Sequence, residues 1–175
     1  YTPVGWEECS PFPGMHELMG KLHAKGIKLA VATSKPRVFA QKILEKYSMQ
    51  DDFDLVCGSE FNGERGQKWE VIEYALEQFG ISPDEAIMVG DRKYDVIGAK
   101  KCGVECIGVR FGYAEPGELE REGAVYVGAL EDFDAARCPD WRNEEAMGWE
   151  SAVIAFGSGI NDYGEFTPLP LKGRA

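Results

Sequence analysis

Asp91 and Asp95 stand four residues apart, directly after the apolar run Ile87-Met88-Val89-Gly90. That run has the composition of a buried strand, so it would leave Asp91 at the strand's carboxyl end and Asp95 on the turn that follows. Two carboxylates delivered in this way suit a hard cation. Mg²⁺ takes oxygen ligands, keeps several waters, and is commonly held by one or two carboxylates plus a substrate phosphate. The bland alternative is a solvated turn, because Gly-Asp-x-x-x-Asp by itself is a weak pattern that needs structural context.

Two further sets of residues fit the same chemistry. Thr33 and Ser34 follow the strand-like run Ile27-Lys28-Leu29-Ala30-Val31-Ala32, and Lys68 stands where a helical pattern begins. Singly, Thr33 would cap the helix that Pro36 starts, and Lys68 would be a solvated lysine with the wrong sign for a helix amino end. Together, a hydroxyl, an ammonium and paired carboxylates make a phosphate-plus-magnesium site. Arg92 and Lys93 are expected to be exposed, and His16 and His23 to be surface or packing histidines.

The elements that would collect these groups can be read from the spacing. From about residue 14 to residue 110, helical and strand-like segments alternate, which predicts an α/β fold with a Rossmann-like parallel sheet and helices on both faces. Met15, Leu18, Met19 and Leu22 share a helical face that Gly26 ends, and Val38, Phe39, Ile43, Leu44 and Tyr47 trace a second stripe. Phe53 to Cys57 predicts a short strand, and the polar stretch 58–66 a loop. A helix over 67–79 ends at Gly80, and Ser82-Pro83-Asp84-Glu85 has the form of a capping box on a single turn. The strand before Asp91, a helix stopped by Gly103 and a strand over 104–109 complete the series. In such a sheet the binding crevice lies outside the carboxyl ends of the strands, where Thr33, Lys68 and the aspartates all fall.

The whole chain narrows the classes of function. Its 175 residues, 44% hydrophobic and 28% charged, can bury one real core, which argues against disorder. A net charge of -11 gives no footprint for DNA or RNA, and a phosphorylated metabolite would need a locally positive site to overcome that field. Five cysteines, Cys9, Cys57, Cys102, Cys106 and Cys138, show no Cys-x-x-Cys spacing, so reduced thiols and a cytoplasmic setting are expected rather than disulfides or zinc. No segment has the length and apolarity of a membrane span. The sequence is silent on oligomeric state.

In these motifs the chain resembles the haloacid dehalogenase superfamily of phosphatases, and within it the phosphoglycolate phosphatase and bacterial 5′-nucleotidase branch. The likeness runs over residues 1–133, through Pro11-Phe12-Pro13-Gly14-Met15, Leu29 to Pro36, Lys68, Met88 to Lys100, Ile107 to Tyr113, and Glu118-Leu119 to Gly123-Ala124. The resemblance implies that Thr33 and the Ser34 amide bind the transferring phosphoryl group, that Lys68 neutralises charge there, and that Asp91 and Asp95 hold Mg²⁺. It implies a small phosphorylated metabolite as partner. Residues 1–13 resemble the end of a helical cap domain, 14–133 the α/β core, and 134–175 an irregular extension.

The departure from the family is equally specific. Its first motif, Asp-x-Asp-Gly-Thr on the middle strand, supplies nucleophile and general acid, and no such run occurs in this chain. The first strand and most of the cap are therefore expected to be absent from the core, and the chain to be inactive alone. Ala152 to Gly159 reads as a strand with a glycine turn, but Phe156 and Ser158 stand where the two aspartates would be needed. Gly157-x-Gly159 fails as a dinucleotide fingerprint because Asp162 takes the third glycine position. A non-catalytic phosphate-binding module is the alternative. A phospho-accepting receiver domain is disfavoured, because there the acidic pair precedes the hydroxyl and the lysine.

Overall fold

The structure, a computed structural model, describes residues 11–110 and 112–128 and the strand 153–156. Six strands form one sheet: β1 (Lys28–Pro36), β2 (Leu55–Ser59), β3 (Ala86–Gly90), β4 (Glu105–Val109), β5 (Tyr126–Gly128) and β6 (Val153–Phe156). Their spatial order is β2-β1-β6-β3-β4-β5, and every described pairing is parallel. The chain steps one way from β1 to β2 and the other way from β3 through β5, so the order reverses around β1, β6 and β3. In a doubly wound sheet that reversal opens the ligand crevice.

Each helix follows from its apolar spacing. α1 (Met15–Ala24) buries Leu18, Met19 and Leu22 against a core with Leu29, Ile87, Val89, Ile107 and Val109. α2 (Arg37–Lys46) buries Ala40 and Ile43. The opposite face is covered by α3 (Lys68–Phe79), α4 (Lys93–Lys101) and α5 (Glu118–Glu122), whose Val71, Ile72, Ala75, Val96, Ala99 and Leu119 meet Ala32, Met88 and Cys106. Alternate residues of β3 thus feed alternate cores, as a strand buried on both faces must. Capping boxes start α3, where the Gln67 amide donates to Glu70 at 2.8 Å, and the 3₁₀ turn Pro83–Glu85, where the Ser82 amide donates to Glu85 at 2.8 Å.

Two elements differ from the sequence reading. β1 does not stop at Ala32 but runs to Pro36, because its pairing slips between Ala32↔Cys57 and Pro36↔Ser59. Four steps on β1 face two on β2 there, a bulge that re-aims Thr33, Ser34 and Lys35. β2 starts two residues later than expected, since a 3₁₀ turn at Gln50–Asp52 precedes it and the Asp54 carboxylate is committed to the Leu29 amide at 2.8 Å. Val153–Phe156, within the segment read as a strand, is one and lies in the middle of the sheet. β6 stands between β1 and β3.

Two glycines test how tightly the helices seat. A Cβ on Gly98 would meet Lys68 Cγ at 2.6 Å, whereas one on Gly20 would meet nothing within 4 Å. Gly98→Ala is expected to lower unfolding stability by ~1–3 kcal/mol through overpacking. Gly20→Ala, on an exposed position of α1, is expected to be neutral or to stabilise by ~0.5–1 kcal/mol. Urea unfolding of the two variants measures the contrast, and equal stabilities would show that α3 and α4 are not seated through this contact.

Candidate active site

The carboxyl ends of β1 and β3 flank β6 and carry the residues singled out by spacing. At the end of β1, Thr33 is fully buried, and its hydroxyl oxygen accepts the Lys35 amide at 3.1 Å, a turn made by the bulge. The Ser34 carbonyl accepts the Ser59 hydroxyl at 3.0 Å, which fastens this turn to the end of β2. Lys68, the first residue of α3, reaches the same corner. Its ammonium donates to the Ala32 carbonyl at 2.9 Å and pairs with Asp95 Oδ1 at 2.9 Å.

The aspartates occupy different positions. Asp95 Oδ2 accepts the amides of Asp91 and Arg92, both at 3.1 Å, as the N3 residue of a capping box at the start of α4. Asp95 therefore spends both oxygens on the protein. Asp91, 3% exposed, uses Oδ2 to accept the Tyr113 amide at 2.9 Å, and no hydrogen-bond donor meets its Oδ1 among the described residues. Space for both carboxylates comes from missing side chains: a Cβ on Gly90 would collide with Asp95, and one on Gly112 with Asp91.

Lys68, Asp91, Asp95, Thr33 and Ser34 thus surround one end of the sheet, joined through the Ala32 carbonyl and the Asp91 amide. Sequence reasoning missed the partners that fix them. Arg92 is not simply exposed: its Nε donates to the buried Glu118 at 3.1 Å, and the Lys93 amide donates to the same oxygen at 2.8 Å. Burial alone would raise the Glu118 carboxyl, but the Lys93 amide and the Arg92 guanidinium hold it below its ordinary value. The signal was present in Glu118 opening the turn after Gly117, yet nothing local ties it to residues 25 and 26 positions earlier.

A divalent cation would find part of a donor set here. Asp91 offers an anionic oxygen at a buried strand end, and Mg²⁺ completes its shell with waters and phosphate oxygens. Among the described residues no three His, Cys, Asp or Glu side chains are grouped to hold a metal without such help. The described cysteines, Cys57, Cys102 and Cys106, are free, and burial pushes the Cys57 and Cys102 thiols up to about 11, so neither is a thiolate nucleophile at neutral pH. Cys9, Cys138, Trp141, Trp149, Tyr163 and the turn at 157–159 lie outside the described residues.

Comparison with known proteins points to one family. The model of the family described as haloacid dehalogenase-like hydrolase matches residues 4–109, more than half of the chain. A 5′-nucleotidase of Pseudomonas aeruginosa is 40% identical over 119 residues, covering 68% of this chain and 54% of the relative. The tyrosine-protein kinase PtkA of Mycobacterium tuberculosis is 34% identical over 137 residues, covering 78% and 47%. A phosphoglycolate phosphatase of Rhodospirillum rubrum is 34% identical over 142 residues, covering 81% and 56%. The chain therefore spans about half the length of these curated relatives. The crystal structure of a predicted phosphatase from Clostridium acetobutylicum superposes with a TM-score of 0.67 at 43% identity, over 69% of this chain and 56% of that one.

Burial, and after it the charge of Asp95, pushes the Asp91 carboxyl from 3.8 up to about 6, against the pull of the Tyr113 amide and Lys68. A carboxyl whose pKa is higher in the folded chain than in the unfolded one favours folding when protonated and opposes it when ionised. The cost of its charge is thus absent below about pH 4, grows between 4 and 6, and is complete above, at ~3 kcal/mol for a shift of about two units. Asp91→Asn keeps an acceptor for Tyr113 and removes the charge. We expect the variant to be more stable than wild type at pH 7.5, by ~1–3 kcal/mol, with the gap closing as the pH falls through 6 towards 4. Denaturant melts at four pH values measure this, and a constant or inverted gap would contradict it.

Proposed function

Because the chain belongs to the haloacid dehalogenase-like hydrolase family, we propose that its sheet-end cradle binds the phosphoryl group of a small phosphomonoester together with Mg²⁺. The activity this cradle serves is phosphomonoester hydrolysis of the phosphoglycolate phosphatase or 5′-nucleotidase kind. The observation that carries the reading is the Lys68 ammonium, held between the Asp95 carboxylate and the Ala32 carbonyl beside Thr33. A fixed cation next to a hydroxyl and a turn of backbone is what a phosphoryl group needs, since its transfer is catalysed mainly by positioning and by countering oxygen charge.

In this reading the Thr33 hydroxyl and the Ser34 amide donate to phosphoryl oxygens, and Lys68 balances their charge. Asp91 is the direct carboxylate donor to the cation. Asp95 stays at the cation's side and orients Asp91 through its amide. Bound Mg²⁺ would neutralise phosphoryl oxygen charge. Arg92, fixed by Glu118, keeps the Asp91 loop from moving when charge arrives.

At the two positions of the middle-strand segment where the family's motif would need aspartates, this sequence has Phe156 and Ser158. Asp-x-Asp-Gly-Thr does not occur, and the middle strand ends at Phe156. That strand favours the second reading as well, a cradle that binds phosphate without turning it over. We place the protein in the cytoplasm from its free described thiols; no helix among the described residues is long and apolar enough to cross a membrane.

We expect this polypeptide to hydrolyse neither phosphoglycolate nor a nucleoside monophosphate above background with Mg²⁺ present, while calorimetry detects orthophosphate binding. Lys68→Met is expected to abolish that binding. Robust Mg²⁺-dependent turnover by this chain would overturn the first expectation, and wild-type protein that ignores phosphate would overturn the site.

A further inference from the structure

Beside the cradle, on the β2 side, lies a second charged group that the phosphate reading does not use. Arg37 is the first residue of α2, directly after Pro36, and its Nε donates to Glu60 Oε1 at 2.9 Å. Arg65 Nη2 donates to the same oxygen at 2.6 Å, while Arg65 Nε donates to the Gly58 carbonyl at 3.1 Å and its guanidinium lies 4.3 Å from the Tyr74 ring centre. Arg65 is thus spent on the protein, with 18% of its side chain exposed. Arg37 is different. Its side chain is 38% exposed, only Nε is engaged, and no acceptor among the described residues meets either of its Nη groups.

The group is rigid and it is close to the cradle. Gly58 packs so near that an added Cβ would meet Arg37 Cα and N at 2.9 Å, and Phe61 stands edge-on to Phe39 with ring centres 5.8 Å apart. The loop carrying Glu60 is therefore clamped to α2 both before and after that residue. Ser59, the residue before Glu60, holds the Ser34 carbonyl at 3.0 Å. The bulge fits Ala32 to Pro36 into the length of two residues on β2, about 7 Å, so Arg37 follows Thr33 at a shorter rise along the sheet than four extended residues would give.

Building on the phosphate reading, we infer that Arg37 is a specificity residue that recognises a carboxylate carried by the phosphomonoester a short distance from its phosphate. An arginine whose Nε is already anchored still presents two Nη donors in a fixed plane, the fork that matches the two oxygens of a carboxylate. Glu60 orients that fork, and Arg65 offsets the negative charge Glu60 would otherwise hold against the incoming acid. In a chain of net charge -11, a fixed cation beside the site is also what lets a doubly acidic metabolite approach.

Calorimetry on the full chain with Mg²⁺ tests this with three probes: orthophosphate, ethyl phosphate, and phosphoglycolate, which adds a carboxylate at similar size. Wild type is expected to bind phosphoglycolate about tenfold more tightly than ethyl phosphate, the scale of one charge-assisted pair. Arg37→Met should bring that ratio to about one while orthophosphate and ethyl phosphate still bind, and Arg37→Lys should recover part of the preference. The thermal melt of each variant checks that it folds. If wild type binds orthophosphate but does not prefer phosphoglycolate, or if Arg37→Met keeps the preference, Arg37 has no such role and the cradle stands. If wild type does not bind orthophosphate, the cradle and this inference fall together.

Discussion

The position of one ammonium group decides how the rest of the site is built. Lys68 starts α3, yet its nitrogen lies against the carbonyl of β1 that precedes Thr33 and against the carboxylate of α4 that caps its own helix. Three elements meet on that atom, and none of them is near another in sequence. Burying an ion pair is costly, and the attraction repays the cost only if the remaining donors and acceptors are satisfied. On the acid's side they are, since Asp95 adds two backbone amides, and Gly98 leaves the room that the lysine stem needs, while the ammonium, with two acceptors among the described residues for its three donors, keeps one N–H in hand. An apolar pair would pack the same corner at less cost, so the retention of charge is itself a reason to look for a ligand.

What could be read from the sequence was whatever is decided locally. The glycine stops, the capping box at Ser82, and the apolar stripes of α1 to α4 depend on neighbours within a turn, and their spacing placed them within a few residues. Thr33, Lys68, Asp91 and Asp95 were legible for a related reason, since each sits at a strand end or helix start that periodicity locates. The bulge in β1 was not legible, because it is set by how β2 pairs with β1, and periodicity within one strand carries no register. Nor were the Tyr113 amide on Asp91 and Glu118 beneath Arg92, which join segments 22 and 26 residues apart.

The middle of the sheet shows the same limit more sharply. Ala152 to Gly159 could be recognised as a strand and a turn, but strand-forming composition says nothing about which strands will flank it. The ladder supplies that answer: Lys28 to Val31 on one side and Ala86 to Val89 on the other both pair with Val153 to Phe156. Without a strand there, β1 and β3 would face each other across a gap with unpaired amides and carbonyls, the most costly defect a buried sheet can carry. Backbone pairing asks only for an extended segment. Any sequence able to lie flat can fill the place, including one with phenylalanine where a carboxylate would act.

The same separation between support and reaction runs through the proposed cradle, whose supporting contacts do not depend on the reacting groups. Asp95 is held by amides and by Lys68, Glu118 by Arg92 and an amide, and the Ser34 turn by Ser59, all through groups that need no ligand to make their contacts. Asp91 is the exception. Its second oxygen meets no donor among the described residues, and its carboxyl is raised because its charge is buried without enough compensation. A fold does not gain stability from such a group. The neighbouring contacts are satisfied by the protein and this one is not among the described residues, which makes Asp91 the position where a cation carrying its own water and phosphate oxygens would have the sign and the chemistry of a partner.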